Sequence, residues 1–162
     1  MTKANLPSTF KYSSTLRATK KAGLKTFDAW AHHPYYAGPS DQPTTKPVTA
    51  KGAPATAVTL GNISDLIREV TRLYGNKRIW ITEYGYQTNP PDRLYGVTYA
   101  KQAAYLTQAY AIARKNPRID MMLWFLLKDD PNVAGWQSGL ITARGAKKPA
   151  FKAFMKMAAG AP

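Results

Sequence analysis

The chain contains no cysteine, so disulfides and thiolate metal ligands are excluded and the redox compartment is left open. It is poor in acid. Nine Asp and Glu stand against 23 Lys and Arg in 162 residues. None of the nine precedes Asp28 and none follows Asp130. Glutamate is scarcer still, with only Glu69 and Glu83, so any chemistry needing two glutamates has little to draw on. No apolar run approaches the ~18 residues that span a bilayer, and Met1-Thr2-Lys3-Ala4-Asn5 lacks the apolar core of a secretion signal. Localisation stays open on these grounds.

What is present fits a globular domain: 44% apolar and 20% charged residues, a composition unlike that of a disordered chain. The length suits one domain, 1–162, with a real core. The formal charge of +14 leaves both ends purely cationic. Such a field attracts nucleic acid, anionic lipid or an acidic polysaccharide, but the commoner reading is a solvated basic surface. No recognised nucleic-acid motif accompanies the charge, so nucleic acid is possible but not favoured.

Along the chain, helical segments alternate with short apolar runs. Residues 13–22 read as a helix ended by Gly23, and residues 27–33 as a strand closed by Pro34. Residues 34–58 are rich in Pro, Gly, Ser and Thr and form a long loop, either a cleft wall or a disordered insertion. Ile63, Leu66, Ile67, Val70, Leu73 and Tyr74 make one apolar stripe at helical spacing. Glu69 falls on its solvent side and reads as a surface charge. Residues 78–83 are β-branched and aromatic, as in a strand.

A helix over 97–115 is expected to bury Tyr99, Ala103, Leu106, Tyr110 and Ala113. The run 121–127 is apolar on both parities, as in a parallel strand covered on both faces. A final helix over 148–158 is expected to turn Phe151, Phe154, Met155 and Ala158 inward. Three strands alternating with four helices predict an α/β fold with a parallel sheet.

Parallel folds collect reactive groups at the carboxyl ends of their strands. Here those ends carry His32-His33-Pro34-Tyr35-Tyr36, then Thr82-Glu83-Tyr84-Gly85, then Trp124 with Lys128, Asp129 and Asp130 beyond. A lone strand-end Glu is more often a structural hydrogen-bond acceptor than a catalyst. The ordered set of three motifs resembles clan A glycoside hydrolases, in particular the cellulase-like and family thirty-nine-like (β/α)8 barrels. The matching residues are His33-Pro34-Tyr35, Thr82-Glu83-Tyr84-Gly85, Trp124, the stretch from Asp129 to Leu140, and Lys148-Pro149-Ala150-Phe151.

The resemblance covers nearly the whole chain and implies the C-terminal half of a barrel, from its fifth helix to its eighth. It implies a retaining mechanism with Glu83 as nucleophile. Tyr35 would orient it, His33 would contact the sugar, Trp124 would be a stacking platform, and Tyr84 would line the substrate site. Retaining glycosidases need two carboxyl groups ~5–5.5 Å apart, one to attack and one to protonate the leaving oxygen. They require no metal and no cofactor. In the clan A pattern the proton donor is a Glu that follows Asn, and this sequence has no Asn-Glu pair.

A complete barrel takes ~250 residues, so the sheet is expected to be open, with its edges and inner face needing cover. A homo-oligomer, such as a dimer of half-barrels, or a complementary N-terminal half would supply it. Three functional readings follow: a glycosidase half active only when completed, a non-catalytic remnant with weak carbohydrate binding, and a basic module for nucleic acid or acidic glycans.

Overall fold

A computed structural model describes residues 12–36, 38, 40–48 and 57–160. The elements run α1 (Tyr12–Lys21), β1 (Ala29–His32), α2 (Ile63–Tyr74), β2 (Arg78–Tyr84), α3 (Tyr99–Arg114), β3 (Ile119–Trp124) and α4 (Pro149–Ala159). A 3-10 turn, Leu60–Asn62, leads into α2. The three strands form one parallel sheet in the order β1-β2-β3. This is the α/β alternation expected from the sequence, in the manner of a partial (β/α) barrel.

Helix boundaries have local causes. Gly23 and Gly75 follow α1 and α2 at φ +98° and +79°, a conformation that favours glycine. The Thr98 hydroxyl caps α3 by accepting from the Lys101 amide at 3.2 Å. Pro149 opens α4, where no amide donor is needed.

The main core lies between the sheet and α1, α2 and α3. Leu16, Ile63, Leu66, Val70, Ile79, Ile81, Tyr84, Tyr86 and Ala109 are buried there. Leu106, Leu140 and Ala150 form a second cluster between α3 and α4. The α2 stripe is used as expected, with Ile67, Leu73 and Tyr74 packed beside its buried members.

Four particulars differ from the sequence reading. First, β3 begins at Ile119 and ends at Trp124, because the carbonyls of Leu126 and Leu127 turn to the amides of Leu140 and Ile141. Second, β3 is covered on one face only. Leu123 stays 49% exposed and Trp80, on the next strand, 42%, and no helix among the described residues packs over them. Third, α4 faces inward through Ala150, Phe151, Ala153, Phe154 and Met157, so Phe151 and Phe154 turn inward as expected, while Met155 and Ala158 are exposed. The stripe starts one residue earlier than expected, at Ala150.

Fourth, Glu69 is not a free surface charge. It accepts from Arg72 Nη2 at 2.7 Å, Arg72 Nε at 2.8 Å and Arg17 Nε at 3.2 Å, tying α2 to α1. The Arg72 hydrogen bonds, with help from Arg17, hold its carboxyl down at about 2 against the opposing effect of burial. Of the long loop 34–58, positions 37, 39 and 49–56 lie outside the described residues. Its remainder is anchored: the Thr59 hydroxyl donates to the Thr45 carbonyl at 3.1 Å, and Tyr86 donates to the Asp41 carbonyl at 2.9 Å.

Candidate active site

A slip of register aims the site. Ile81 pairs with Met122 and Tyr84 with Trp124, so two residues of β2, Thr82 and Glu83, stand opposite Leu123 alone. Strict alternation would put Glu83 on the helix-facing side with Ile81. The extra residue returns Tyr84 to that side, at 1% exposure in the core, and leaves Glu83 at the open end of the strand. Bulges commonly re-aim a side chain in this way. Gly85 then permits β2 to run close beside β3, since a methyl group there would strike the Phe125 carbonyl oxygen.

Two side chains converge on Glu83 from the segment after β1. Tyr35 donates its hydroxyl to Oε2 at 3.1 Å, and His33 Nδ1 lies 3.4 Å from the same oxygen. The carboxylate is one-third exposed, at 33%, and His33 is 47% exposed, so the trio is open to a ligand from solvent. A tight turn sets the spacing, with the Tyr35 amide donating to the His33 carbonyl at 2.9 Å. Leu60 donates to the Pro34 carbonyl at 3.1 Å and ties that turn to the start of α2. Burial pushes the Tyr35 phenol well above its ordinary range, and the charge of Glu83 and the hydrogen bond to it act in the same direction. Tyr35 is therefore a donor to Glu83 at any ordinary pH.

The neighbouring His32 takes no part in the trio. Its Nε2 donates to the Val58 carbonyl at 3.2 Å, and burial lowers its pKa from 6.5, aided by the nearby His33 and opposed by the Val58 bond. Above its ordinary pKa, His32 is neutral in both folded and unfolded chains. Below it, the unfolded chain takes up a proton that the folded chain resists, so stability falls with pH. Urea unfolding is expected to give a lower midpoint at pH 5.5 than at pH 7.5, with the difference reduced in His32→Gln. Glu69 titrates lower, between 4.5 and about 2, and leaves that window to the histidine.

Glu83, His33 and Tyr35 thus come together. Tyr84 and Trp124 stand differently. The Tyr84 hydroxyl donates to that of Tyr86 at 3.3 Å, and the buried ring packs beside Tyr35 with centroids 6.4 Å apart. Trp124 belongs to the helix-facing side, where it packs on both core clusters. Its Nε1 donates to the Ser138 carbonyl at 2.9 Å, and its ring meets Tyr84 edge-on at 6.3 Å. The aromatic groups near the mouth of the site are instead Phe125 and Trp136, edge-on at 5.5 Å, with Trp136 stacked on Tyr35 at 5.6 Å. Phe125 sits within the apolar run and Trp136 within the Asp129–Leu140 stretch. Its place next to Trp124 in the chain was the signal available for Phe125.

Behind the mouth lies a buried cation. Lys148 Nζ donates to Asp129 Oδ1 at 2.7 Å, to the Thr88 hydroxyl at 2.8 Å and to the Gln137 carbonyl at 3.1 Å. The two charged side chains are 0% and 2% exposed. Gln102 Nε2 donates to the carbonyls of Tyr86, Ser138 and Gly139 at 3.0, 3.1 and 3.3 Å. These groups fasten the loop after β2 to the loop after β3. Among the described residues there is no group of three His, Asp or Glu side chains arranged to hold a metal ion, and no helix is long and apolar enough to cross a membrane.

A family model for the family of unknown function DUF5722 matches residues 16–161. The chain belongs to that family. No curated protein matches this DUF5722 chain. Among solved structures it is similar to a family 39 glycoside hydrolase of Bacteroides cellulosilyticus WH2, at 21% identity and TM-score 0.59, over 86% of this chain and 28% of that one. It is similar to the β-glucuronidase of Faecalibacterium prausnitzii at 17% identity and TM-score 0.60, over 90% and 24%. The β-glucuronidase of Bifidobacterium dentium, complexed with coumarin-3-O-glucuronide, gives 18% identity and TM-score 0.58, over 85% and 21%. The DUF5722 chain therefore has a glycoside-hydrolase-like fold and spans between a fifth and a third of the length of these relatives.

Proposed function

We propose that this chain is the nucleophile-bearing half of a retaining glycoside hydrolase of clan A type, acting on a carbohydrate. One observation carries the reading: the phenol of Tyr35 and Nδ1 of His33 meet at one oxygen of Glu83 at the carboxyl end of the central strand. Hydrogen-bond donors favour the ionised carboxylate that attacks an anomeric carbon. The second glutamate, Glu69, is engaged by two arginines between α1 and α2, so the proton donor has to come from elsewhere. Among the described residues the outer edges of β1 and β3 pair with no further strand, and Trp80 and Leu123 are exposed on the sheet, which suits further strands that would complete the barrel and bring that donor. A second copy of the chain or a complementary N-terminal half is the proposed source.

The test uses substrates that need no proton donor. A panel of 2,4-dinitrophenyl 2-deoxy-2-fluoro-β-pyranosides is incubated with the full chain and read by mass spectrometry. The C1–O bond to dinitrophenolate breaks as a bond from C1 to a Glu83 carboxyl oxygen forms. A label on the peptide carrying Glu83 is the expected result. No label from any sugar would leave the second reading, a carbohydrate-binding remnant, which the absence of an Asn-Glu pair from the sequence favours.

A further inference from the structure

We infer that Trp136 is a positioning residue: its ring, presented by the loop between β3 and α4, holds the Tyr35 ring so that the phenol stays on Glu83. This rests on the reading of Glu83 as the reacting carboxylate. Tyr35 has two near-parallel aromatic neighbours from different elements. Trp136 lies at 5.6 Å with 24° between the planes, and Tyr84 at 6.4 Å with 17°. A phenol on a free side chain samples several rotamers, and only one delivers its hydroxyl to Oε2. Rings stacked on it remove the others before any ligand arrives.

Both supports are themselves fixed. Tyr84 is 1% exposed, bonded through its hydroxyl to Tyr86 and set edge-on against Trp124. Trp136 meets Phe125 edge-on, and its own carbonyl accepts from the Asp130 amide at 2.9 Å. The next residue, Gln137, is tied at both backbone groups. Its amide donates to Gln87 Oε1 at 3.2 Å, and its carbonyl accepts from the Thr88 amide, the Thr88 hydroxyl and Lys148 Nζ. The indole is thus carried on a backbone with little freedom, which is what a buttress requires.

Crystal structures and labelling kinetics of the full chain test the assignment together. In Trp136→Leu the Tyr35 hydroxyl is expected to leave hydrogen-bonding distance of Glu83, and in Trp136→Phe to keep it. The saturating rate of Glu83 labelling is expected to fall about tenfold in Trp136→Leu at an unchanged half-saturating concentration, and to recover in Trp136→Phe. Added to Tyr35→Phe, which has no hydroxyl to aim, Trp136→Leu is expected to change nothing further. Should Trp136→Leu fail to fold, Trp136→Met serves for the same comparisons. Tyr35 remaining on Glu83 without the indole would overturn the assignment, as would full additivity with Tyr35→Phe. A raised half-saturating concentration at an unchanged rate would also do so, because it would make Trp136 a ligand contact. Failure of the wild-type chain to label at all would reject the proposed function, and the crystal structures would still judge the buttress.

Discussion

Lys148→Met is expected to lower the unfolding free energy by about 3–5 kcal/mol, the usual cost of leaving one member of a buried ion pair alone. For a chain of this size each kcal/mol moves the melting temperature by ~2–4 °C, so a fall of about 6–20 °C is anticipated. The argument runs through Asp129. Its side chain is 2% exposed, and Oδ1 accepts from Lys148 and from the Gly139 amide at 2.8 Å. Once the ammonium is gone, a carboxylate remains in a place that water does not reach. The Thr88 hydroxyl and the Gln137 carbonyl lose their shared donor in the same step. Removing both charges, in Lys148→Met with Asp129→Leu, is expected to recover much of the loss, because a well-packed apolar pair often matches a buried ion pair. Thermal unfolding followed by circular dichroism checks both variants. A Lys148→Met chain as stable as wild type would mean that the pair has no energetic role.

Glu83 variants should give the largest effect on chemistry. Glu83→Gln is expected to yield no glycosyl label, since an amide oxygen is too poor a nucleophile to displace even dinitrophenolate. Glu83→Asp keeps the charge but withdraws it by one methylene, and a misplacement of about 1 Å costs on the order of 10²-fold in rate. A hundredfold slower labelling in Glu83→Asp, with unchanged melting, would place the reacting atom at this side chain. Equal labelling of wild type and Glu83→Gln would remove Glu83 from the reaction. The proposal that this chain carries no proton donor of its own sets the choice of substrate, because general acid help typically contributes 10²–10⁴-fold. Unactivated glycosides are accordingly expected to turn over slowly at best unless the barrel is completed.

Much of this arrangement was legible in the residues. Alternating periodicity gave three strands and four helices because each helix has one apolar stripe and each strand a short β-branched or apolar run. The motif residues Glu83, Tyr35 and His33 meet because parallel strands bring their carboxyl ends to one side of the sheet. Trp124 was harder. Seven consecutive apolar residues, 121–127, carry no parity from which a face can be read, and only the register with β2 assigns Trp124 to the helix side. The buried pair Lys148–Asp129 was equally hidden, because its partners lie nineteen positions apart and an isolated Lys or Asp looks like surface. Trp136 offered no periodic pattern either, since a loop holds it by carbonyl hydrogen bonds.

The slipped register between Ile81 and Tyr84 makes the address of the carboxylate a matter of counting. Inserting one residue beside Leu123 on β3 would leave every functional group chemically intact and yet, by restoring strict alternation on β2, swing the acidic side chain toward the oily layer beneath, with Tyr84 turned out in its place. Homologous chains are therefore best compared by spacing at this point of the strand before they are compared by letter.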